Sequence, residues 1–198
     1  QAMQLEAANM LDNYRERSLL NKRVDGSDVV FILIDVDHFK RVNDKYGHQS
    51  GDAVLIEITN RIRLIARETD HLVRWGGEEF LLIVRESSIE RAETIAERLR
   101  QKIKETLINI EGDIEIKMTC SIGLCGYPFF ARKPENLSWS ECINLADKAL
   151  YCAKNSGRDT WVSVKENALI LSDEVSDSVE NLDQSQICLE SSASISYV

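Results

Sequence analysis

Residues 74–80 read RWGGEEF. Two glycines sit between the apolar stretch HLVRW (71–75) and two adjacent glutamates, and EEFLLIV (78–84) follows without a gap. A Gly-Gly pair between apolar runs predicts a two-residue hairpin turn, because both central residues can take φ > 0. A hairpin forces an antiparallel pair and excludes a doubly wound parallel sheet. The two acids at the tip read either as solvated turn residues or as ligands for a hard metal ion. Glycines favour the second reading only in part, by letting a ligand approach the backbone. A further acid elsewhere is needed to choose.

The hairpin has a consistent setting on both sides. VVFILID (29–35) is a continuous apolar run ending in an acid, as in a central strand buried on both faces. VLIEITNRIRLIA (54–66) places Val54, Leu55, Ile58, Ile62 and Ile65 on one helical face. Ala92, Ile95, Ala96, Leu99 and Ile103 make a second helical stripe, and Cys142, Leu145, Ala146, Ala149 and Leu150 a third. DIEIKMTCSIG (113–123) alternates through Ile114, Ile116, Met118, Cys120 and Ile122 and predicts one strand. TWVSV (160–164) is a short closing strand, and residues 1–20 read as an amphipathic helix followed by the loop NKRVDGSD. The order α-β-α-β-β-α-β-α-β predicts an α+β (mixed α/β) fold with a central, mainly antiparallel five-stranded sheet flanked by helices.

Composition narrows the function. The chain has 198 residues, 43% hydrophobic and 29% charged, enough for one domain with a sizeable core. A formal net charge of −9 argues against nucleic acid as a partner, since that needs a basic surface. No apolar run approaches the roughly 18 residues of a membrane span, and no signal peptide is visible, so a cytoplasmic setting is expected. Cys120, Cys125, Cys142, Cys152 and Cys188 form no CxxC pair and are expected as buried free thiols, with zinc ligands or disulfides the lesser reading. His38, His48 and His71 are not in metal-ligand spacing, and Trp75, Trp139 and Trp161 read as packing residues. Residues 166–198 hold eight serines, seven acids and no lysine or arginine, the composition of a weakly ordered acidic tail.

The further acid lies in FILIDVDHFKRVNDKYGHQSGD (31–52). Asp35 ends the buried strand and Asp37 follows two residues on, so both are expected to point from one edge. Together with RWGGEEF, MTCSIG (118–123) and ADKALYCAKNSGRD (146–159), this stretch resembles the GGDEF-domain diguanylate cyclases, in the Glu-for-Asp form of the signature. The resemblance covers residues 1–165. It implies a palm-like fold similar to that of nucleotide cyclases and polymerases. It also implies condensation of two GTP into cyclic di-GMP with release of two pyrophosphates, each of two paired domains holding one GTP.

By family position, Asp35, Glu78 and the backbone carbonyl of Val36 are implied as ligands of Mg2+ or Mn2+. Glu79 is the implied acid for deprotonating the attacking hydroxyl. Lys40, Lys154 and Arg158 are implied phosphate contacts, and Asn43 and Asp52 the guanine readers. Phe39, His48, Gly76 and Gly77 complete the substrate-binding set. Arg67 and Asp70 in RETD (67–70) match the family's inhibitory RxxD motif, with Arg98 a further arginine of that site. The resemblance further implies a homodimer, product inhibition and an upstream sensor or regulatory domain, the whole being cytoplasmic or the cytoplasmic part of a larger membrane-bound protein. The family's usual DxLTGLxNRR lead-in is not among these residues. Two alternatives stand beside the cyclase. One is a catalytically weak GTP or cyclic di-GMP sensor module. The other is an adenylyl-cyclase-like or polymerase-palm enzyme, against which Asn43 and Asp52 speak.

Overall fold

The computed structural model describes residues 29–105, 107–110, 114–130 and 136–165. The expected N-terminal helix and the acidic tail lie outside them. β1 (Val29–Val36) is the centre of the molecule, with every residue buried. It pairs antiparallel with β3 (Glu79–Arg85) on one side and β6 (Cys120–Tyr127) on the other. β2 (His71–Arg74) adds antiparallel to β3, and β7 (Trp161–Val164) adds parallel to β6, so the order is β2-β3-β1-β6-β7. A strand covered on both faces has no polar side to show, which is why VVFILID lacks alternation.

Among the described residues four helices cover the sheet. α1 (Phe39–Tyr46) and α2 (His48–Ile65) meet at Gly47, whose φ of 84° is a left-handed value that glycine takes without strain. α2 and α3 (Ile89–Glu105) bury Val54, Leu55, Ile58, Ile62, Ala92, Ala96, Leu99 and Ile103 against the even-numbered side chains of β1. α4 (Trp139–Asn155) buries Cys142, Leu145, Ala146, Ala149 and Leu150 against Val29, Phe31 and Leu33 on the opposite face. The α4 start is a capping box: Glu141 N–H donates to Ser138 Oγ (3.3 Å) and Ser138 N–H to Glu141 Oε2 (2.7 Å). Arg61, 2% exposed, ties α2 to the end of α3 by donating to Ile103 O (3.1 Å) and Leu107 O (3.0 Å). Among the described residues no helix is long and apolar enough to cross a membrane.

Three expectations need correction. The alternating run 113–123 is two strands: β5 (Ile114–Ile116) pairs with β4 (Ile108–Ile110) in a separate hairpin, and β6 begins at Cys120. Alternation reports which way side chains point and says nothing of which strand accepts the backbone hydrogen bonds. Ile116, Met118, Cys120 and Ile122 all reach the same core across the break. The turn after β2 is not a two-residue one, since residues 75–78 all lie between the strands and neither Gly76 nor Gly77 has positive φ. Trp75 and Gly76 N–H both donate to Glu79 O (2.8 and 3.2 Å), and Arg74 Nη2 donates to Gly77 O (2.8 Å), which tightens the wider loop. Finally, Cys120, Cys125 and Cys142 are buried free thiols, but Cys152 is disulfide-bonded. An apolar helical face hides a sulfur without forbidding a bond to it. Cys188 lies outside the described residues.

Candidate active site

The odd-numbered side chains of β1 face α4, so Asp35 emerges on that face at the strand's C-terminal end. Its direct partner on β3 is Glu79. Glu78 sits one residue earlier, in the loop, where its backbone carbonyl accepts from Val36 N–H (3.3 Å). Three carboxylates thus gather at one sheet edge, and like charges placed opposite each other on neighbouring strands repel. Burial, and then neighbouring charge, pushes the carboxyls up from their ordinary range. For Asp35 burial outweighs the Lys154 hydrogen bond, and for Glu78 and Glu79 burial leads with Asp35 next. One cation is already there: Lys154, in the last turn of α4, reaches Asp35 Oδ2 at 2.7 Å. Arg158 follows just past the helix, close enough to favour the ionised form of Asp35.

The two hairpin glycines have different reasons. A Cβ on Gly76 would lie 2.9 Å from Glu79 Oε2, so its absence makes room for the Glu79 carboxylate. Gly77 faces open space.

A second group forms where α1 meets α2. A Cβ on Gly51 would lie 1.9 Å from Asn43 Oδ1 and 3.1 Å from the Phe39 ring. Phe39 and Asn43 thus converge on the backbone that leads into Asp52, while Lys40 and His48 are exposed on the same pair of helices. Arg67 and Asp70 close one turn before β2: Arg67 N–H donates to Asp70 Oδ2 (2.8 Å) and Asp70 N–H to Arg67 O (3.0 Å). Asp70 also accepts from Arg85 N–H (3.3 Å). Arg98 stands on a different element, exposed on α3.

Asp37 departs from expectation. It lies close enough to Asp35 to push that carboxyl up, yet it is 3% exposed and its carboxylate is taken up by protein donors. It accepts from Thr119 Oγ1 and Ser121 Oγ (2.7 Å each) and from Asp159 N–H (3.1 Å). A carboxylate holding three short hydrogen bonds is committed to structure.

Residues 3–160 match the family model described as "Diguanylate cyclase, GGDEF domain". The chain belongs to the GGDEF family. It is 35% identical over 144 residues to diguanylate cyclase DgcP of Pseudomonas aeruginosa, covering 73% of this chain and 20% of that protein. It is 38% identical over 136 residues to diguanylate cyclase A of Treponema denticola, covering 69% of this chain and 35% of that protein. This chain therefore spans well under half the length of either relative. The crystal structure of the GGDEF domain of DgcB from Caulobacter crescentus in complex with c-di-GMP superposes with a TM-score of 0.69 at 27% identity, covering 79% and 86% of the two chains.

Three contributors are not picked out as such from the sequence. Gly123 of this GGDEF domain is one: its Cβ would lie 2.0 Å from Ala146 O and 2.3 Å from Leu150 N, so α4 rests directly on the β6 backbone. An isolated glycine inside a strand pattern is the signal for such an approach. Gly51, inside a helix, carries the same kind of signal. Arg100, which bonds Asp159, carries none.

Among the described residues no group of three or more His, Cys, Asp or Glu side chains is arranged to hold a metal ion. Asp35 and Glu78 with a nearby carbonyl nevertheless suit magnesium, which takes one or two carboxylates plus substrate oxygens. The raised carboxyls have a consequence for stability. Ionised Glu78 is disfavoured in the folded chain relative to the unfolded one. That penalty is complete above its raised pKa and vanishes as pH falls below the ordinary carboxylate range. Metal-free Glu78→Gln should accordingly unfold at a higher temperature than wild type at about pH 7.5, with the gap closing as the pH is lowered through that range. Calorimetric scans in chelator check this, and a gap independent of pH would contradict the penalty that burial and the neighbouring Asp35 charge place on ionised Glu78.

Proposed function

We propose that this GGDEF domain condenses two GTP into cyclic di-GMP with release of two pyrophosphates, two copies of the domain each presenting one GTP. The observation that supports this most is the three-carboxylate edge of Asp35, Glu78 and Glu79 with Lys154 and Arg158 beside it. A set of repelling, partly desolvated acids next to two cations suits a metal-bound polyphosphate. Asp35, Glu78 and the Val36 carbonyl would hold Mg2+ or Mn2+, which when bound supplies charge neutralisation and acidifies the attacking hydroxyl.

The chain's own residues do the rest. Asp52 accepts from the paired N–H donors of guanine, and Asn43 donates and accepts beside it. Adenine lacks that donor pair, so ATP leaves the Asp52 carboxylate unsatisfied. Lys40 and Arg158 hold phosphate oxygens, joined by Lys154 as it moves between Asp35 and the phosphates. Glu79 takes the proton of the 3′-hydroxyl. Its raised pKa brings it nearer the working pH, which suits a general base.

Incubation with GTP and Mg2+, followed by chromatography, tests the reading. The expected result is cyclic di-GMP formed at a rate second order in protein at low concentration, with ATP inert. GTP binding without product, at concentrations that dimerise the chain, would instead support a nucleotide-sensing module.

We also infer product inhibition through Arg67, Asp70 and Arg98. Arginine suits phosphate and guanine contacts by its planar fork, and the Arg67–Asp70 turn is tied to Arg85, at the end of β3 opposite Glu79. Arg67→Ala should raise the inhibition constant for cyclic di-GMP about tenfold, the loss of one charge-assisted contact, with the initial rate unchanged. Arg98→Ala should act in the same direction and less. Asp70→Ala should relieve inhibition and also lower the melting temperature, because its carboxylate ties the turn to Arg85. Product-inhibition curves decide, and equal constants for wild type and all three variants would remove the site.

A further inference from the structure

Three consecutive residues after α4 have positive φ: Gly157 (109°), Arg158 (65°) and Asp159 (48°). Glycine accepts this region freely and aspartate tolerates it, but arginine rarely enters it. Such a conformation persists only where its surroundings over-determine it, and here they do. Arg158 N–H donates to Ala153 O (3.2 Å), carrying the chain out of the helix. Asp159 N–H donates to the buried Asp37 carboxylate (3.1 Å). The Asp159 side chain is gripped from α3, by Arg100 Nη1 at 2.8 Å and Lys104 Nζ at 2.7 Å. Arg100 is itself held by Glu97 at 2.7 Å, and Glu97 also accepts from Trp161 Nε1. Asp37 is fixed in turn by Thr119 and Ser121. The corner is thus bolted to β1, β6 and α3 at once, while the Arg158 side chain itself is exposed.

We infer that Asp37 and Asp159 are positioning residues: they lock the 157–159 corner so that the Arg158 guanidinium stands over the Asp35 edge, ready for the triphosphate of the nucleotide. The assignment rests on the proposed reading of Arg158 as a phosphate contact. Neither aspartate touches the nucleotide. Asp37 accepts hydrogen bonds in a closed interior, and Asp159 spends its carboxylate on Arg100 and Lys104. Without them the corner can relax out of the left-handed region, and Arg158 loses its fixed starting point. Holding a charged group in place before the ligand arrives is worth affinity, because the ordering cost is already met.

The test is a double-mutant cycle on nucleotide affinity, measured calorimetrically with Mg2+ and a non-hydrolysable GTP analogue on the full 198-residue chain. Asp159→Gly is the main variant, because glycine keeps the left-handed backbone and removes only the clamp. Asp37→Ala is the second. Each should weaken binding about tenfold when Arg158 is present and leave it unchanged in an Arg158→Ala background, the signature of residues acting through one another. Asp37→Asn should retain binding: its amide oxygen still accepts from Asp159 N–H, and the Thr119 and Ser121 hydroxyls can rotate to suit the amide. Amide exchange across residues 156–160 should speed up in Asp159→Gly and Asp37→Ala and not in Asp37→Asn. Equal weakening in both backgrounds would overturn the inference in favour of a general effect on the fold, as would undiminished binding in Asp159→Gly and Asp37→Ala alongside a clear Arg158→Ala defect. Undiminished binding in Arg158→Ala itself would instead overturn the phosphate-contact reading and this inference with it.

Discussion

Asp35→Asn should lower the rate of cyclic di-GMP formation by about a thousandfold, or about 4 kcal/mol of barrier. The exchange is nearly isosteric and removes one negative charge from the sheet edge. Half of the carboxylate pair proposed to hold the metal disappears, and with it the ion pair to Lys154. The fold should not suffer. Burial pushes the Asp35 carboxyl up despite Lys154, so the ionised form is held at a cost that the amide does not have. The metal-free variant should melt no lower than wild type at neutral pH, and Lys154, partly exposed, can turn to solvent. Turnover by chromatography and melting by calorimetry separate chemistry from stability. Retention of more than about a tenth of the activity, a barrier change under 1.4 kcal/mol, would take Asp35 out of the metal site.

Gly123→Ala should destabilise the domain by about 3 kcal/mol, the upper end of the usual cost of overpacking a core, and lower its melting temperature by about 10 °C. The added methyl would lie 2.0 Å from Ala146 O and 2.3 Å from Leu150 N, both backbone atoms of α4. Backbone in mid-helix cannot move alone, so the helix must shift as a body. The last turn of that helix carries Lys154 and leads into Arg158, so nucleotide affinity should fall as well. A melting temperature within about 2 °C of wild type would mean that α4 does not rest on β6 as closely as described.

Much of this architecture was legible before any coordinates. VVFILID announced a doubly covered strand, the Gly-Gly stretch an antiparallel pair, and the three helical stripes matched the buried faces of α2, α3 and α4. The acids at 35, 78 and 79 were legible as a group only through the resemblance to the GGDEF family, which brings the two separate motifs together. What stayed hidden was relational. Periodicity told which side of 113–123 faces the core but not that β5 and β6 have different strand partners. An aspartate two residues from another looked like its companion, and Asp37 does lie beside Asp35, but its carboxylate is taken up by Thr119, Ser121 and Asp159 N–H, all remote in sequence. Gly123 and Gly51 were visible as letters, yet only a neighbouring backbone or amide shows what their missing side chains allow.

The two sides of the carboxylate edge have unequal mechanical standing. Asp35 belongs to a strand bonded to neighbours along its whole length. Glu78 lies in a four-residue loop whose far support is β2, a four-residue edge strand. Segments with few buried apolar contacts open at a smaller free-energy cost than the central sheet. Heat should therefore loosen the Glu78 side while β1 is still intact, and catalytic competence should be lost reversibly at temperatures where the sheet has not begun to melt. Nucleotide and metal, proposed to be held through Glu78, need that loop in place and should move that inactivation point upward more than they move global unfolding.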